Sequence, residues 1–293
     1  MNIIETKNLT KIYHGTTNKA LNKLNLEVIE GEIFGFIGPN GAGKSTTIRL
    51  LLDLIRPTAG NAEIFGFDVN KKSLKVRQGI GYLPGEIFLP ESMTGIECIH
   101  YYSGFKKNID SAYLNSLLKR FDLNTKKKIR EYSKGNKQKL AIVLALMNKS
   151  KLLLLDEPTS GLDPMNQQEF YSIILETKKW GATTFFSTHI LEEAQKLCDR
   201  VGIIKEGKLV KIENIEEFKQ KNIREMHLET SDSIPLSHFQ IPGIEKVERT
   251  TTGYHIITIG PNAEIIKKIS HEHITDIKIA EPSLEEIFMH FYK

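Results

Sequence analysis

The segment "GFIGPNGAGKSTTIRLLLDLI", residues 35–55, decides the fold of this chain. It matches the pattern G-x-x-x-x-G-K-[ST] through Gly38, Gly43, Lys44 and Ser45. An apolar strand precedes the glycine loop, and a helix follows it. The apolar stripe of that helix is formed by Ile48, Leu51, Leu52 and Ile55. Strand, glycine loop and helix in this order predict a phosphate-binding loop and disfavour the alternative of a chance glycine turn.

The residue types of this loop suit a nucleotide phosphate. Glycines allow backbone N–H groups to curl around phosphate oxygens without clashes from a Cβ atom. The N-terminus of the following helix adds partial positive charge at the same place. Lys44 has the length to reach the β- and γ-phosphates, and the Ser45 hydroxyl can bind Mg²⁺. The loop therefore predicts a nucleoside triphosphate with Mg²⁺ as its ligand.

Two carboxylates end a second apolar strand, "KLLLLDE" at 151–157. Nucleotide hydrolysis at such a loop needs a carboxylate at a strand end to organise Mg²⁺, and Asp156 supplies it. Glu157 follows at the strand exit, where a carboxylate can orient or deprotonate a water beside the γ-phosphate. The alternative is a solvated acidic turn, which four preceding leucines and the following Pro158 disfavour.

Composition sets only loose limits on function. The 293 residues are ordinary for a globular protein, with 40% hydrophobic and 26% charged residues. A net charge of +4 neither demands nor excludes an anionic partner. Cys98 and Cys198 have no metal-like spacing and are expected to be reduced thiols. The longest apolar run, 140–147, is far shorter than the roughly 20 residues of a membrane-spanning helix, and no secretory signal is recognisable.

The order of elements predicts an α/β sheet followed by a separate tail. The apolar segments 151–157 and 182–189 enclose a helix, which is typical of parallel strands covered on both faces. Residues 201–210 predict a hairpin that turns at Glu206-Gly207. From about 219 the chain predicts a small α+β domain ending in the helix "SLEEIFMHFY". In that helix, Ser283 and Glu286 are expected to form a capping box, and an apolar stripe is expected to pack on the small domain rather than to bind a membrane. The stripe consists of Leu284, Ile287, Phe288 and Phe291.

Four segments in order, "GPNGAGKST", "YSKGNKQKL", "LLLLDEPTSGLDP" and "STH", resemble the nucleotide-binding subunit of an ABC transporter. The resemblance covers about residues 1–215. It implies a P-loop α/β cassette at 1–218, with a mixed sheet core, an antiparallel β subdomain and a helical subdomain at about 88–150. The α+β accessory domain at 219–293 is similar to one found on exporter-type cassettes.

The resemblance also implies roles for individual residues. Catalysis is expected from Lys44, Glu157 and His189, and Mg²⁺ binding from Ser45, Asp156 and Glu86. Tyr13 stands where such cassettes stack an aromatic ring on adenine, although it also suits a half-exposed strand position. The residues implied in ATP binding are Tyr13, Gly38, Pro39, Asn40, Gly41, Ala42, Gly43, Lys44, Ser45, Thr46, Ser133, Gly135, Asn136 and Asp163.

The chain departs from the usual family pattern at two places. Lys134 replaces a glycine in the signature "YSKGN", whose Ser133 can cap the next helix and whose helix start forms an anion site. In the family this site binds the γ-phosphate held by the other subunit. Gly85 and Glu86 stand where a Mg²⁺-binding glutamine is usual. Glu86 is either an oxygen ligand in its place or part of a solvated Pro-Gly turn.

The function implied is ATP hydrolysis that powers a separate membrane permease, with export of a drug, peptide, lipid or ion. ATP is expected between two cassettes, as a homodimer or with a paralogue, at the inner face of the cell membrane. Nucleic acid is not an expected partner, because a soluble ABC ATPase of DNA repair or translation usually carries two cassettes or a long coiled coil. A non-hydrolysing regulatory module is the other alternative, and the carboxylate Glu157 together with His189 argues against it.

Overall fold

The computed structural model describes residues 1–105, 109–220, 223–260 and 262–280. The chain divides into two compact units, Met1–Glu213 and Asn214–Lys293. This division lies a few residues before the predicted boundary at 218/219. Within the described ranges, no helix combines the length and the apolar character needed to cross a bilayer.

The first unit contains both strands and helices. Its strands are β1 (Asn2–Ile12), β2 (Lys19–Ile29), β3 (Ile33–Ile37), β4 (Ala59–Ile64), β5 (Phe67–Asp68), β6 (Ile80–Leu83), β7 (Leu152–Asp156), β8 (Thr183–Thr188), β9 (Arg200–Lys205) and β10 (Lys208–Asn214). Its helices are α1 (Lys44–Leu51), α2 (Ser73–Gln78), α3 (Gly95–Ser103), α4 (Ser111–Arg120), α5 (Lys134–Leu146), α6 (Pro164–Lys179) and α7 (Leu191–Leu197).

The central sheet has the strand order β10-β9-β3-β8-β7-β6. Strands β6, β7, β8, β3 and β9 pair in parallel, and β10 joins β9 through the predicted turn at Glu206-Gly207. Every residue of β3, β7 and β8 is buried, as their near-continuous apolar sequences predict. Because β3, β8 and β7 are parallel neighbours, their carboxyl ends lie at the same edge of the sheet.

A second, antiparallel sheet has the order β2-β1-β4-β5. Its inward side chains, such as Leu26 and Ile64, join one hydrophobic core with Phe34 and Phe185 of the central sheet. The two sheets thus form the predicted cassette core and its antiparallel subdomain. The predicted α/β P-loop fold is confirmed.

Helices α3 to α5 form the helical part of this unit, within the segment expected at about 88–150. Thr94 and Glu97 cap α3 with both hydrogen bonds of a capping box, and Asp110 caps α4. A short 3₁₀ helix, Ile129–Glu131, precedes α5 and is separated from it by Tyr132 and Ser133. The core of this part contains Cys98, Ile99, Leu123, Ile129, Tyr132, Leu140 and Met147.

The second unit is an α+β arrangement built on an antiparallel sheet. Its elements are α8 (Ile215–Gln220), β11 (Ile223–Glu229), β12 (Ile244–Arg249), β13 (Gly253–Ile259), α9 (Ala263–Ile269) and β14 (Asp276–Ala280), with a 3₁₀ turn at Leu236–Phe239. The strand order is β12-β13-β11-β14. One sheet face packs Met226, Leu228 and Ile256 against α9 residues such as Ile265. The predicted helix with the Ser283–Glu286 capping box and its apolar stripe lies outside the described residues.

Candidate functional site

The glycine loop runs from the end of β3 to the start of α1, as predicted. Gly41 and Gly43 have φ angles of 80° and 112°, in the region that side chains with a Cβ disfavour. A Cβ on Gly43 would also lie 2.6 Å from the Ala20 carbonyl oxygen. Glycine is therefore required at Gly43 by both backbone conformation and close packing.

Lys44 is buried beneath this loop. Its Nζ donates hydrogen bonds to the carbonyl oxygens of Gly38, at 2.6 Å, and Pro39, at 3.1 Å. Burial lowers the pKa of Lys44, and the nearby carboxylates of Glu157 and Asp156 oppose that shift. The loop thus holds a cation at its centre.

A cavity of about 140 Å³ lies over Lys44. Its lining residues are Asn40, Gly41, Gly43, Lys44, Ser45, Thr46 and Glu157. Gly38 and Pro39 contribute the carbonyl oxygens that hold Lys44, whereas the Ala42 carbonyl accepts a 2.9 Å hydrogen bond from Gly207 N. The members of the predicted loop therefore divide into those that face the cavity and those that shape it.

The two predicted carboxylates differ sharply in environment. Asp156 ends β7, is 4% exposed and accepts a hydrogen bond from the Ser187 hydroxyl of β8. Glu157 adopts φ 48°, and its N–H donates to the Ser187 carbonyl oxygen at 3.1 Å. A left-handed conformation at a non-glycine residue costs about 1–2 kcal/mol. Glu157 thus has a strained backbone conformation and a side chain that lines the cavity.

Glu157 lies between the nitrogen groups of Lys44 and His189. Its Oε1 is 3.7 Å from Lys44 Nζ and 3.4 Å from His189 Nδ1. His189 follows β8 and its side chain is half exposed. The parallel pairing of β3, β8 and β7 thus brings Lys44, Glu157 and His189 together, although they are distant in sequence.

A buried carboxylate that the sequence reading missed lies directly behind this trio. Glu193 of α7 is 3% exposed and accepts hydrogen bonds from Thr159, from Thr188 at 2.7 Å and from Tyr171 at 3.2 Å. Thr159 follows Glu157 in the β7 exit loop, and Thr188 precedes His189. Glu193 therefore ties the two loops that carry the site. The sequence offers one signal for its burial. Glu193 lies four residues before the apolar Leu197, which places both on the same face of α7, and both are buried.

Tyr13 lies beside the phosphate loop just after β1. Its hydroxyl is 3.2 Å from the Thr46 hydroxyl, and the side chain is 36% exposed. Lys11 Nζ lies 5.3 Å from the centre of its ring. The antiparallel sheet therefore supplies an accessible aromatic ring next to the start of α1.

The signature segment forms the start of α5. The Ser133 hydroxyl caps the helix by accepting from Asn136 N at 3.2 Å. A Cβ on Gly135 would lie 3.0 Å from the Gly161 carbonyl oxygen, so the first turn of α5 contacts the loop that contains Gly161. The aliphatic carbons of Lys134 lie over Gly161, with Cε 3.3 Å from an added Cβ position. Lys134 thus packs against the neighbouring loop of the same chain.

Asp163 caps the helix after that loop. It accepts hydrogen bonds from Asn166 N at 2.9 Å and from Asn166 Nδ2 at 2.6 Å. These hydrogen bonds lower the pKa of the Asp163 carboxyl. In the single chain, Asp163 therefore caps the N-terminus of α6.

Glu86 is exposed and lines a different cavity, of about 490 Å³. This cavity also contains Lys134, Lys137 and Ser160. Gly85, by contrast, approaches the Asp156 carboxylate, because a Cβ there would lie 3.1 Å from Asp156 Oδ2. The loop after β6 reaches the site through its backbone at Gly85, and the role of Glu86 stays a prediction.

Comparison with known proteins agrees with this geometry. The sequence model of a family described as ABC transporter matches residues 21–160. The bacitracin transport ATP-binding protein BcrA of Bacillus licheniformis is 36% identical over 307 residues, covering 98% of this chain and 96% of that protein. A solved ATP-binding subunit of an ABC transporter aligns with a TM-score of 0.69 at 30% identity, covering 75% of this chain and 93% of that one. A dimeric ATP-binding cassette bound to ADP and Pi aligns with a TM-score of 0.66 at 26% identity, over 72% and 98% of the two chains.

Proposed function

The chain belongs to the ATP-binding subunits of ABC transporters, and we propose that it powers export of bacitracin or a related compound through a separate permease. As a member of this family it is an ATPase whose hydrolysis drives transport. The observation that carries the proposed catalytic site is that Glu157, which lines a phosphate-sized cavity together with Lys44, lies within 3.7 Å of Lys44 and 3.4 Å of His189.

In the proposed reaction, the glycine loop and Lys44 hold the β- and γ-phosphates of ATP. Burial lowers the pKa of Lys44 and the carboxylates of Glu157 and Asp156 oppose that shift, and the Lys44 amine would exchange loop carbonyls for phosphate oxygens. Glu157 orients or deprotonates the attacking water, and His189 donates a hydrogen bond to the transferring phosphoryl group. The 3.4 Å contact between Glu157 and His189 supports this division of roles, because two side chains this close can reach the same phosphate.

Mg²⁺ fits the residues at the cavity. Asp156 is a buried carboxylate that accepts a hydrogen bond from the Ser187 hydroxyl at one oxygen, and Ser45 lines the cavity. One carboxylate, one hydroxyl and substrate phosphates are a usual ligand set for this ion. When bound, Mg²⁺ neutralises charge on the β- and γ-phosphate oxygens. Glu86 is the proposed further ligand, and Glu86→Ala would then raise the Mg²⁺ concentration needed for half-maximal hydrolysis, whereas an unchanged value would assign it to a solvated turn.

The geometry of a single chain supports a two-cassette arrangement. The phosphate cavity is lined by residues 40–46 and Glu157, whereas Lys134 and Lys137 of the signature helix line another cavity. The exposed Ser133 hydroxyl and the N-terminus of α5 are therefore available to an ATP held by a second cassette. The proposed complex pairs two such chains, or this chain and a paralogue, head to tail.

Glu157→Gln tests this pairing. Slow hydrolysis should preserve the closed complex, so gel filtration with ATP and Mg²⁺ should show a dimer, and without ATP a monomer. Hydrolysis should fall by about 10²- to 10⁴-fold, the usual contribution of a general base. Glu192→Gln, an exposed acid on α7, is the control and should behave like the wild-type chain. A monomer under both conditions would contradict the paired arrangement.

The proposed permease contact lies beside the loop after β6. Phe88 is 82% exposed and Leu54 is 51% exposed, next to an apolar cavity of about 400 Å³ that includes Tyr82 and Ile87. Such exposed apolar side chains around a cavity suit a protein partner. This contact would keep the subunit peripheral on the inner face of the membrane. Phe88→Glu should leave ATP hydrolysis by the isolated subunit unchanged and abolish its co-purification with the permease.

Drug resistance tests the cargo. The chain is expressed in a sensitive host together with the permease encoded beside it, and growth is measured across bacitracin concentrations. Wild-type chain should raise the inhibitory concentration, and Glu157→Gln should not. An unchanged inhibitory concentration, with ATP hydrolysis intact, would reject bacitracin as the cargo while leaving the ATPase assignment in place.

A further inference from the structure

The face of the second unit's sheet opposite its hydrophobic core carries a cluster of two histidines and one glutamate. His227 of β11 and His255 of β13 are direct cross-strand partners. Glu225 precedes His227 by two residues, so its side chain lies on the same face of β11. Met226 and Leu228, on the opposite face, belong to the hydrophobic core. The strand register therefore places all three polar side chains together, away from that core.

The three side chains converge at short range. Glu225 Oε1 lies 2.9 Å from His227 Nε2 and also contacts His255 Nε2. The two imidazole rings are nearly parallel, with centroids 4.8 Å apart. One ligand atom from each residue lies within 4.8 Å of the other two. These three side chains are therefore close enough together to bind one metal ion.

Burial makes the arrangement costly without a further ligand. Glu225 is only 7% exposed at its side chain, and His255 is 17% exposed. His255 Nε2 is buried and, despite its contact with Glu225, has no hydrogen bond of acceptable geometry in the described part of the chain. A buried polar atom without a hydrogen-bond partner is unfavourable. A cation between the three groups would satisfy this nitrogen and the glutamate charge together.

We propose that Glu225, His227 and His255 bind one divalent transition-metal ion, with Zn²⁺ as the best chemical match. Two imidazole nitrogens and one carboxylate oxygen form a usual three-residue ligand set for Zn²⁺, which leaves a fourth position for water. Oxygen-preferring ions such as Mg²⁺ and Ca²⁺ suit it poorly. Glu248 Oε2 lies 3.9 Å from His255 Nδ1, close to where a second carboxylate orients a metal-bound imidazole.

The ion would clamp the two central strands of this sheet. β13 and β11 are neighbours in the order β12-β13-β11-β14, and the ligands come from both. Binding to the folded unit alone raises its stability in proportion to the logarithm of metal concentration. None of the three ligands lines the phosphate cavity, so metal binding would act on the stability of the second unit.

The test uses the full chain, purified without a histidine tag and stripped of metal. Titration with Zn²⁺ by calorimetry should give one site per chain, and bound zinc measured after gel filtration should give the same stoichiometry. Co²⁺ should produce a visible d–d absorption band that Zn²⁺ abolishes. His227→Gln and His255→Gln should each weaken binding by about tenfold or more. Circular dichroism reports whether the variants are folded, and Glu225→Gln provides a third variant of unchanged shape.

The matched control is His238→Gln. His238 belongs to the same unit and pairs with Glu272 through a 2.6 Å contact, but it lies outside the cluster. This variant should keep full Zn²⁺ affinity and the Co²⁺ band. Absence of saturable Zn²⁺ binding by wild-type chain at about 100 µM, far weaker than structural zinc affinities, would overturn the proposal. Equal binding by the control and the folded cluster variants would overturn it as well.

Discussion

Replacing Glu193 with alanine tests how the two loops that carry Glu157 and His189 are held in place. The substitution removes the common acceptor of three hydroxyl groups, those of Thr159, Thr188 and Tyr171. Burial and the neighbouring Glu193 raise the pKa of Tyr171, so its hydroxyl stays protonated and donates. All three donors are then left in a buried region without their partner.

The expected cost follows from these contacts. A hydrogen bond to a charged group contributes about 1.5–3 kcal/mol, and neighbouring bonds are not additive. We therefore expect Glu193→Ala to lower the free energy of unfolding of the first unit by about 3–5 kcal/mol. With an m value of about 3 kcal/mol per M urea, the midpoint would fall by about 1 M or more. Hydrolysis should also slow, because Thr159 and Thr188 adjoin the loops that carry Glu157 and His189.

The chain provides its own probe for this measurement. Trp180 is the sole tryptophan, lies in the first unit and packs edge-on against Tyr113 at 5.3 Å. Its fluorescence in a urea titration reports unfolding of that unit. Glu192→Ala, the exposed neighbour, is the control and should leave the midpoint almost unchanged. If Glu193→Ala shifts the midpoint no more than Glu192→Ala, the buried network does not stabilise the site.

Three further outcomes test other parts of the structure. Gly43→Ala should lower the free energy of unfolding by more than about 2 kcal/mol and abolish ATP binding, because the backbone angle φ of 112° and the nearby Ala20 carbonyl oxygen both disfavour a Cβ atom. Gly31→Ala is the control for backbone strain alone, because Gly31 has φ 83° with no atom near the added Cβ, and it should keep ATP binding. Lys44→Ala should eliminate fluorescent ATP-analogue binding, and retained binding would mean that the site is elsewhere. Burial raises the pKa of Cys98 to about 11 and that of Cys198 well above its usual range, so both thiols should resist a disulfide reagent at pH 8 until the chain is unfolded in urea; rapid reaction of the folded protein would contradict their burial.

The parts of the fold that the sequence predicted depend on local patterns. The strand before the loop, the glycines and the helix of 35–55 form one continuous segment, and its structure follows from burial and from allowed φ angles. The turn at Glu206-Gly207 is equally local. Strands β11 and β12 were not predicted, because their charged residues conceal the alternation that faces the core.

The missed site residues depend on contacts between distant segments. Ser187 is an ordinary strand residue until pairing of β7 and β8 puts its hydroxyl beside Asp156. Glu193 is one of two adjacent acids in α7, and only packing separates the buried acid from the exposed one. Lys134, which departs from the usual signature, could be placed over Gly161 only once the two loops were positioned.

By itself, the sequence determined the phosphate loop, the carboxylates after the fourth leucine of β7 and the family to which the chain belongs. These conclusions rest on residue types at fixed short spacing, where backbone geometry leaves few alternatives. Tertiary structure decided which groups meet. Lys44, Glu157 and His189 converge because three buried parallel strands end at one sheet edge, and Glu225, His227 and His255 converge because two antiparallel strands pair in one register. Such meetings follow from strand order and register, which burial of the whole core selects.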